Sequence, residues 1–205
     1  KRGKLYMVIF DDFVKDKKTT LILKDTNTWN NFPSFNWWDG WWKVEPRNIM
    51  EVLIKMVWGQ FQLENKIAGF EYWSNYQTPK NWKLNWHQDC DEKLRKNSNN
   101  ILSPTLGQIY YIENSGVQGG YLEISSLSPE TEPNPSKIER IYPKENRLVI
   151  FNPSKKHCVS EITSGNRHAF LSNVWIKKPS TFDKSENVDH NDFFPIEWKN
   201  KYNIS

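Results

Sequence analysis

Short apolar runs, many alternating with polar positions, fill the chain from residue 68 onward: "AGFEYW", "KLNWHQD", "TLGQIYYIE", "GYLEIS", "IERIYP", "RLVIFN", "HCVSEIT" and "RHAFLSNVWIK". A period of two puts every second side chain on one face, which is the mark of a strand. Turn formers separate the runs, in "NSGVQGG" (114–120), "PKEN" (143–146), "NPSKK" (152–156) and "SGN" (164–166). Eight short strands punctuated in this way predict a mainly β fold, a double-sheet jelly roll or barrel. The first third is mixed. "KLYMVIF" (4–10) and "TTLILK" (19–24) predict two short strands about a charged turn, and "DTNTWNNFPSFNWWDGWW" (25–42) follows no period. Behind Pro46, the apolar Ile49, Met50, Leu53, Met56 and Val57 recur at three- and four-residue spacing. That predicts a helix over about 46–58 packed on a sheet, so one or two helices support the β fold.

At 205 residues the chain suits one domain, 1–205. It divides into N-terminal strands and helix (1–67), a jelly-roll core (68–177) and a polar tail (178–205). The tail, with Pro179 and Pro195, is expected to wrap the outside, its end docked through Phe193, Phe194 and Trp198. A charged fraction of 25% and a mean hydropathy of −0.78 predict a soluble protein. No apolar run approaches a membrane span. The first residues read as a strand and not as a signal peptide. A net charge of +4 spread over scattered lysines fits a solvated surface better than a nucleic-acid reader. Cys90 and Cys158 are too few for a disulfide framework and point to a reducing, cytoplasmic setting. Each directly follows a candidate metal ligand and so faces away from it on a strand, which predicts two buried small hydrophobes.

The candidate chemistry begins in "LNWHQDCDE" (84–92). His87 and Asp89, two apart, share a face if the segment is a strand, and are then either exposed polar residues or half of a metal site. Among the other histidines, His190 lies in the polar tail, and His157 opens "HCVSEIT" after a turn. A late jelly-roll strand crosses opposite an early one, so His157 can complete two histidines and one carboxylate. That facial set suits non-haem Fe(II), because it leaves positions open for oxygen and a co-substrate. Arg167 follows across the "SGN" turn. If its strand forms a hairpin with that of His157, it can enter the same barrel, where a guanidinium suits a carboxylate. Alone it reads as a surface arginine.

In this order and on strands, His87, Asp89, His157 and Arg167 resemble the 2-oxoglutarate/Fe(II)-dependent oxygenases. Residues 68–177 are similar to their prolyl-4-hydroxylase-like branch, which implies a double-stranded β-helix, the cupin-like form of the jelly roll. "GQIYYIENSGVQGGYLEI" resembles that branch's strand–turn–strand, and "RLVIFNPSKKHCVSEITSGNRHAF" its closing segment. The resemblance implies Fe(II) on His87, Asp89 and His157, the C5 carboxylate of 2-oxoglutarate on Arg167, and Tyr111 as a hydroxyl donor. With O2, a C–H bond of a prime substrate would be hydroxylated and succinate and CO2 released. Two positions depart from relatives: Ala169 stands where many carry Ser or Thr, and Asn173 where the nucleic-acid-demethylating relatives carry a second Arg.

The prime substrate is open. A peptide or protein side chain, prolyl first, is favoured over a nucleobase, with a small molecule as the alternative. The tryptophan-rich loop 25–42 is either a wall over the barrel mouth or a packed connector, and 91–100 is expected to be a flexible loop meeting the substrate. Two rival readings compete: a zinc or other metal hydrolase on a similar barrel, which has no need of Arg167, and a non-enzymatic jelly-roll module binding through its tryptophans.

Overall fold

Two antiparallel sheets stack face to face in the computed structural model, which describes residues 7–25, 28–29, 35–80 and 84–182. In chain order the elements are β1 (Met7–Phe10), α1 (Lys17–Lys24), β2 (Asn36–Trp38), α2 (Ile49–Trp58), β3 (Gly69–Gln77), β4 (Leu84–His87), α3 (Glu92–Ser98), β5 (Leu106–Glu113), β6 (Gln118–Gly119), β7 (Leu122–Ser125), β8 (Ile138–Ile141), β9 (Leu148–Phe151), β10 (His157–Val159), β11 (Ile162–Ser164) and β12 (Arg167–Trp175). The larger sheet runs β1-β9-β5-β12-β3-β2 and the smaller β4-β10-β7-β8, with β11 and β6 as a separate ribbon. This is the expected jelly roll with few helices.

The period of two is visible in the core. On β12, Phe170 and Val174 join Tyr110, Ile112 and Phe70 beneath α1 and α2, while Ala169 joins Ile109, Tyr111, Leu122 and Phe151 between the sheets. The larger sheet therefore has a helix-facing side and a barrel-facing side. The barrel-facing side carries the chemistry.

Several expectations need correction. "TTLILK" is not a strand but lies in α1. Asp16 caps it by accepting from Thr19 N at 2.7 Å, and the adjacent Ile22 and Leu23 are both buried while Leu21 is exposed. Two consecutive residues cannot share one face of a strand, but they can share one side of a helix. α2 begins at Ile49, three residues after Pro46, because Asn48 is its cap and accepts from Glu51 N. Met56 is exposed and not part of its buried stripe. The 25–42 loop contributes β2, paired with β3.

The expected loop after the metal segment holds α3. Asp91 caps it, accepting from Leu94 N at 2.9 Å, and Asn99 ends it in the left-handed region at φ 56. α3 buries no residue, so it leaves no apolar period to read. Asp91 also accepts from Ser180 N and Oγ, which ties the 3₁₀ turn Ser180–Phe182 to this cap. Residues 4–6, 30–34, His190, Phe193, Phe194 and Trp198 lie outside the described residues.

Candidate metal centre and co-substrate pocket

β4 and β10 are neighbours in the smaller sheet, and their register sets His157 directly opposite His87. The sequence expectation placed Asp89 on the same strand as His87, but β4 ends at His87. Asp89 instead lies in the loop just beyond, its N–H donating to Pro153 O at 3.0 Å. Asp89 Oδ1 is 3.4 Å from His87 Nε2 and 3.6 Å from His157 Nε2. Ligand atoms of all three lie within 4.8 Å of one another, and this is the one such cluster among the described residues. These separations suit a metal: two donors about 2.1 Å from an ion and about 90–110° apart lie about 3.0–3.4 Å from each other.

Both imidazoles are turned the same way by local hydrogen bonds. His87 Nδ1 meets Asn85 O and His157 Nδ1 meets Lys155 O, each at 2.8 Å and each two residues back. A carbonyl can only accept, so Nδ1 carries the proton and Nε2 keeps its lone pair for a ligand bond. Burial lowers the His157 pKa, which favours that neutral form. Burial raises Asp89, yet the hydrogen bond to His87 and the charge of His157 outweigh it, leaving the carboxyl below its ordinary value. His87 is pulled the other way: burial lowers it, and Asp89 more than restores it.

The inner face of the larger sheet forms the opposite wall. β12 lies between β3 and β5, which places Asn173 beside Glu71 and Gly107, Leu171 beside Trp73 and Ile109, Ala169 beside Asn75 and Tyr111, and Arg167 beside Gln77. A pocket of about 400 Å³, counting its open mouth, reaches from His87, Asp89 and His157 over Asn173, Leu171 and Trp73 to Asn75. Glu71 accepts from Trp175 Nε1 at 3.0 Å. Its pKa is pushed up to about 7, first by burial, with hydrogen bonds from Trp175 and Asn173 opposing and the Asp89 charge adding.

Arg167 is 0% exposed, and its Nη1 donates to Gln77, itself 2% exposed. Among the described residues its Nε and Nη2 have no partner, nor does the hydroxyl of Tyr111, whose ring centre is 5.0 Å from the guanidinium carbon. A buried cation with unpaired donors is costly unless an anion completes it. A carboxylate fits. The hairpin expected between β10 and β12 is absent, since the two strands lie in opposite sheets. Arg167 therefore enters the barrel from the wall facing the histidines. His168 points the other way, against Trp29 and Tyr76, with its pKa lowered to about 4 by burial and by Arg167.

Other expectations divide. Trp38, Trp41 and Trp42 pack on Phe70, so this part of the loop is a connector, whereas Phe35 reaches Trp73 at the pocket with ring centres 5.2 Å apart. Cys158 is buried as expected. Cys90 is only half-buried, because it follows the end of β4 and its thiol turns toward Glu92. Burial first, and acidic neighbours next, push the two thiols up to about 11 and 12. Gln77, Asn75 and Trp73 were missed by the sequence reading, although the alternation of β3 places them on one face.

Residues 73–177, just over half the chain, match the family model of the 2OG-Fe(II) oxygenase superfamily. The chain belongs to this superfamily. It is a 2-oxoglutarate/Fe(II)-dependent oxygenase, and Fe(II), 2-oxoglutarate and O2 are its cofactors. That membership displaces the zinc-hydrolase and non-enzymatic readings. Solved structures sharing the oxygenase's fold include a viral collagen prolyl hydroxylase from Paramecium Bursaria Chlorella virus-1, 14% identical, covering 85% of this chain and 98% of its own with a TM-score of 0.54. A Pseudomonas putida prolyl-4-hydroxylase is 12% identical and covers 84% of this chain and 93% of its own, TM-score 0.56. A Trichoplax adhaerens prolyl hydroxylase, in complex with a hypoxia-inducible-factor oxygen degradation domain peptide, is 15% identical and covers 89% of each chain, TM-score 0.55. The resemblance to the prolyl-hydroxylase-like branch is thus matched in fold. No curated protein matches the oxygenase in sequence at a significant level. Among the described residues, no helix is long and apolar enough to cross a membrane.

Proposed function

We propose that the whole chain acts as one catalytic domain that holds Fe(II) on His87, Asp89 and His157 and 2-oxoglutarate on Arg167 and Tyr111, and that it hydroxylates a prolyl side chain of a peptide. The observation that carries the cofactor assignment is the buried Arg167, with two donors unpaired, on the wall opposite a two-histidine, one-carboxylate cluster. When bound, the metal with 2-oxoglutarate and O2 supplies the oxidant for a C–H bond, and succinate and CO2 leave. The protein's own residues do the rest. The carbonyls of Asn85 and Lys155 fix the histidine rings. Asp89 supplies the negative charge that offsets the cation. Gln77 occupies Nη1 of Arg167 and leaves Nε and Nη2 for the co-substrate's far carboxylate. Leu171, Ile109, Leu122 and Phe151 line the pocket with apolar surface that excludes water.

For the substrate, the support is the company of the fold: the three solved structures described above are prolyl hydroxylases, one of them holding a peptide. The two free thiols suit the cytoplasm. The test is succinate release stimulated by a panel of proline-bearing peptides, free amino acids and methylated oligonucleotides. Proline-bearing peptides are expected to stimulate. Stimulation by oligonucleotides alone, lost at raised salt as phosphate contacts are screened, would overturn the peptide reading.

A further inference from the structure

Four residues along β12 from Ala169, Asn173 occupies the place noted in the sequence only for lacking an arginine. It is 3% exposed and lies in register between Glu71 on β3 and Gly107 on β5. Its Nδ2 donates to Asp89 Oδ2 at 2.9 Å, while Asp89 Oδ1 is the oxygen near the histidines. Glu71 is the lateral neighbour of the same side chain on β3, and it accepts from Trp175 Nε1 at 3.0 Å. An amide nitrogen has two hydrogens and an amide oxygen has none. With the Asp89 carboxylate taking one hydrogen, a flipped amide would set its oxygen against that carboxylate, so one orientation is selected. The amide oxygen then falls beside Gly107, where a Cβ would lie 3.0 Å from it and 3.2 Å from the Phe151 ring. The absence of a side chain at Gly107 is what gives the amide room.

We propose that Asn173 is a positioning residue for the metal centre, its amide holding one oxygen of Asp89 so that the other stays turned toward the two histidines. Glu71, itself held by Trp175, flanks the amide on β3. This rests on the ligand set proposed above. Groups that orient a metal ligand from behind govern about 10–100-fold in metal affinity or activity.

The test uses the full chain, titrated anaerobically with Fe(II) and with Co(II) as a redox-inert probe, together with the visible band of the Fe(II)–2-oxoglutarate complex. Asn173→Leu keeps the branched outline of the side chain and removes the donor. It is expected to weaken Co(II) and Fe(II) binding about 10–100-fold and to shift the band, while 2-oxoglutarate affinity at saturating metal is unchanged. Gly107→Ala keeps the amide but crowds its oxygen, and is expected to give the same shift in smaller measure. A folded Asn173→Leu chain with the parent's Co(II) dissociation constant would overturn the proposal. If Asn173→Leu does not fold, an unchanged Co(II) constant in Gly107→Ala overturns it instead. Failure of the parent chain to bind either metal would strike the ligand set, and is thereby distinguishable from failure of this inference.

Discussion

His157→Ala abolishes iron binding and, with it, turnover of 2-oxoglutarate; His87→Ala and Asp89→Ala do the same. The expectation follows from the count of donors. Among the described residues the cluster is His87, Asp89 and His157, with no fourth histidine or carboxylate near enough to substitute. His168 is held on the far side of β12 by Trp29 and Tyr76, and the thiols of Cys90 and Cys158 strongly favour the protonated form. Since removing a group that merely orients a ligand costs about 10–100-fold, removing the ligand itself should cost more, to below about 1% of the parent rate. Asp89→Asn separates shape from charge: it preserves the outline of the carboxylate but leaves the cation uncompensated, and it should fail as well. The measurement is uncoupled succinate production beside Fe(II) titration in each variant. Retained turnover in His157→Ala would sink the ligand assignment.

Arg167→Ala has the second large effect, and it should fall on a different quantity. Truncating one partner of a buried, hydrogen-bonded charge pair costs about 2–5 kcal/mol, or roughly 30- to several-thousand-fold in the 2-oxoglutarate dissociation constant. The metal site is built on the other sheet, so Fe(II) affinity should survive. Isothermal titration with 2-oxoglutarate on the metal-loaded variant reads the first, and titration with metal alone reads the second. An unchanged 2-oxoglutarate constant would show that the anion sits elsewhere. The burial of Arg167 sharpens the comparison, because among the described residues only Gln77 engages its guanidinium, at Nη1.

The strands of the jelly roll are legible because their alternation and the turn residues between them agree, from "AGFEYW" to "RHAFLSNVWIK". Elements whose burial leaves no period escape: α3 buries nothing, and α1 reads as a strand until the cap at Asp16 is seen to start a helix. The site splits in the same way. His87, Asp89, His157 and Arg167 stand out by residue type, and the structure gathers the first three into one cluster. Gln77, Asn75 and Asn173 are ordinary amides whose meaning lies in register. Only the pairing of β12 with β3 sets Gln77 beside Arg167 and Asn173 beside Glu71, and no single-strand pattern encodes a lateral neighbour.

Among the described residues, β4 is the outer margin of the four-stranded sheet and pairs with it through β10 alone, with a shift in register between His157 and Val159. It is therefore the least secured stretch near the chemistry, and the segment expected to open first by local unfolding. On the proposed ligand set, an ion shared by His87, Asp89 and His157 would bridge that margin to His157, seventy positions after His87 in the chain. Its occupancy then acts as a clasp on the fold. At a free concentration one hundred times the dissociation constant, such an ion adds about 2.7 kcal/mol of stability. The protein without iron would accordingly be softest where the iron enters, and loading the centre would also fasten the edge of the barrel.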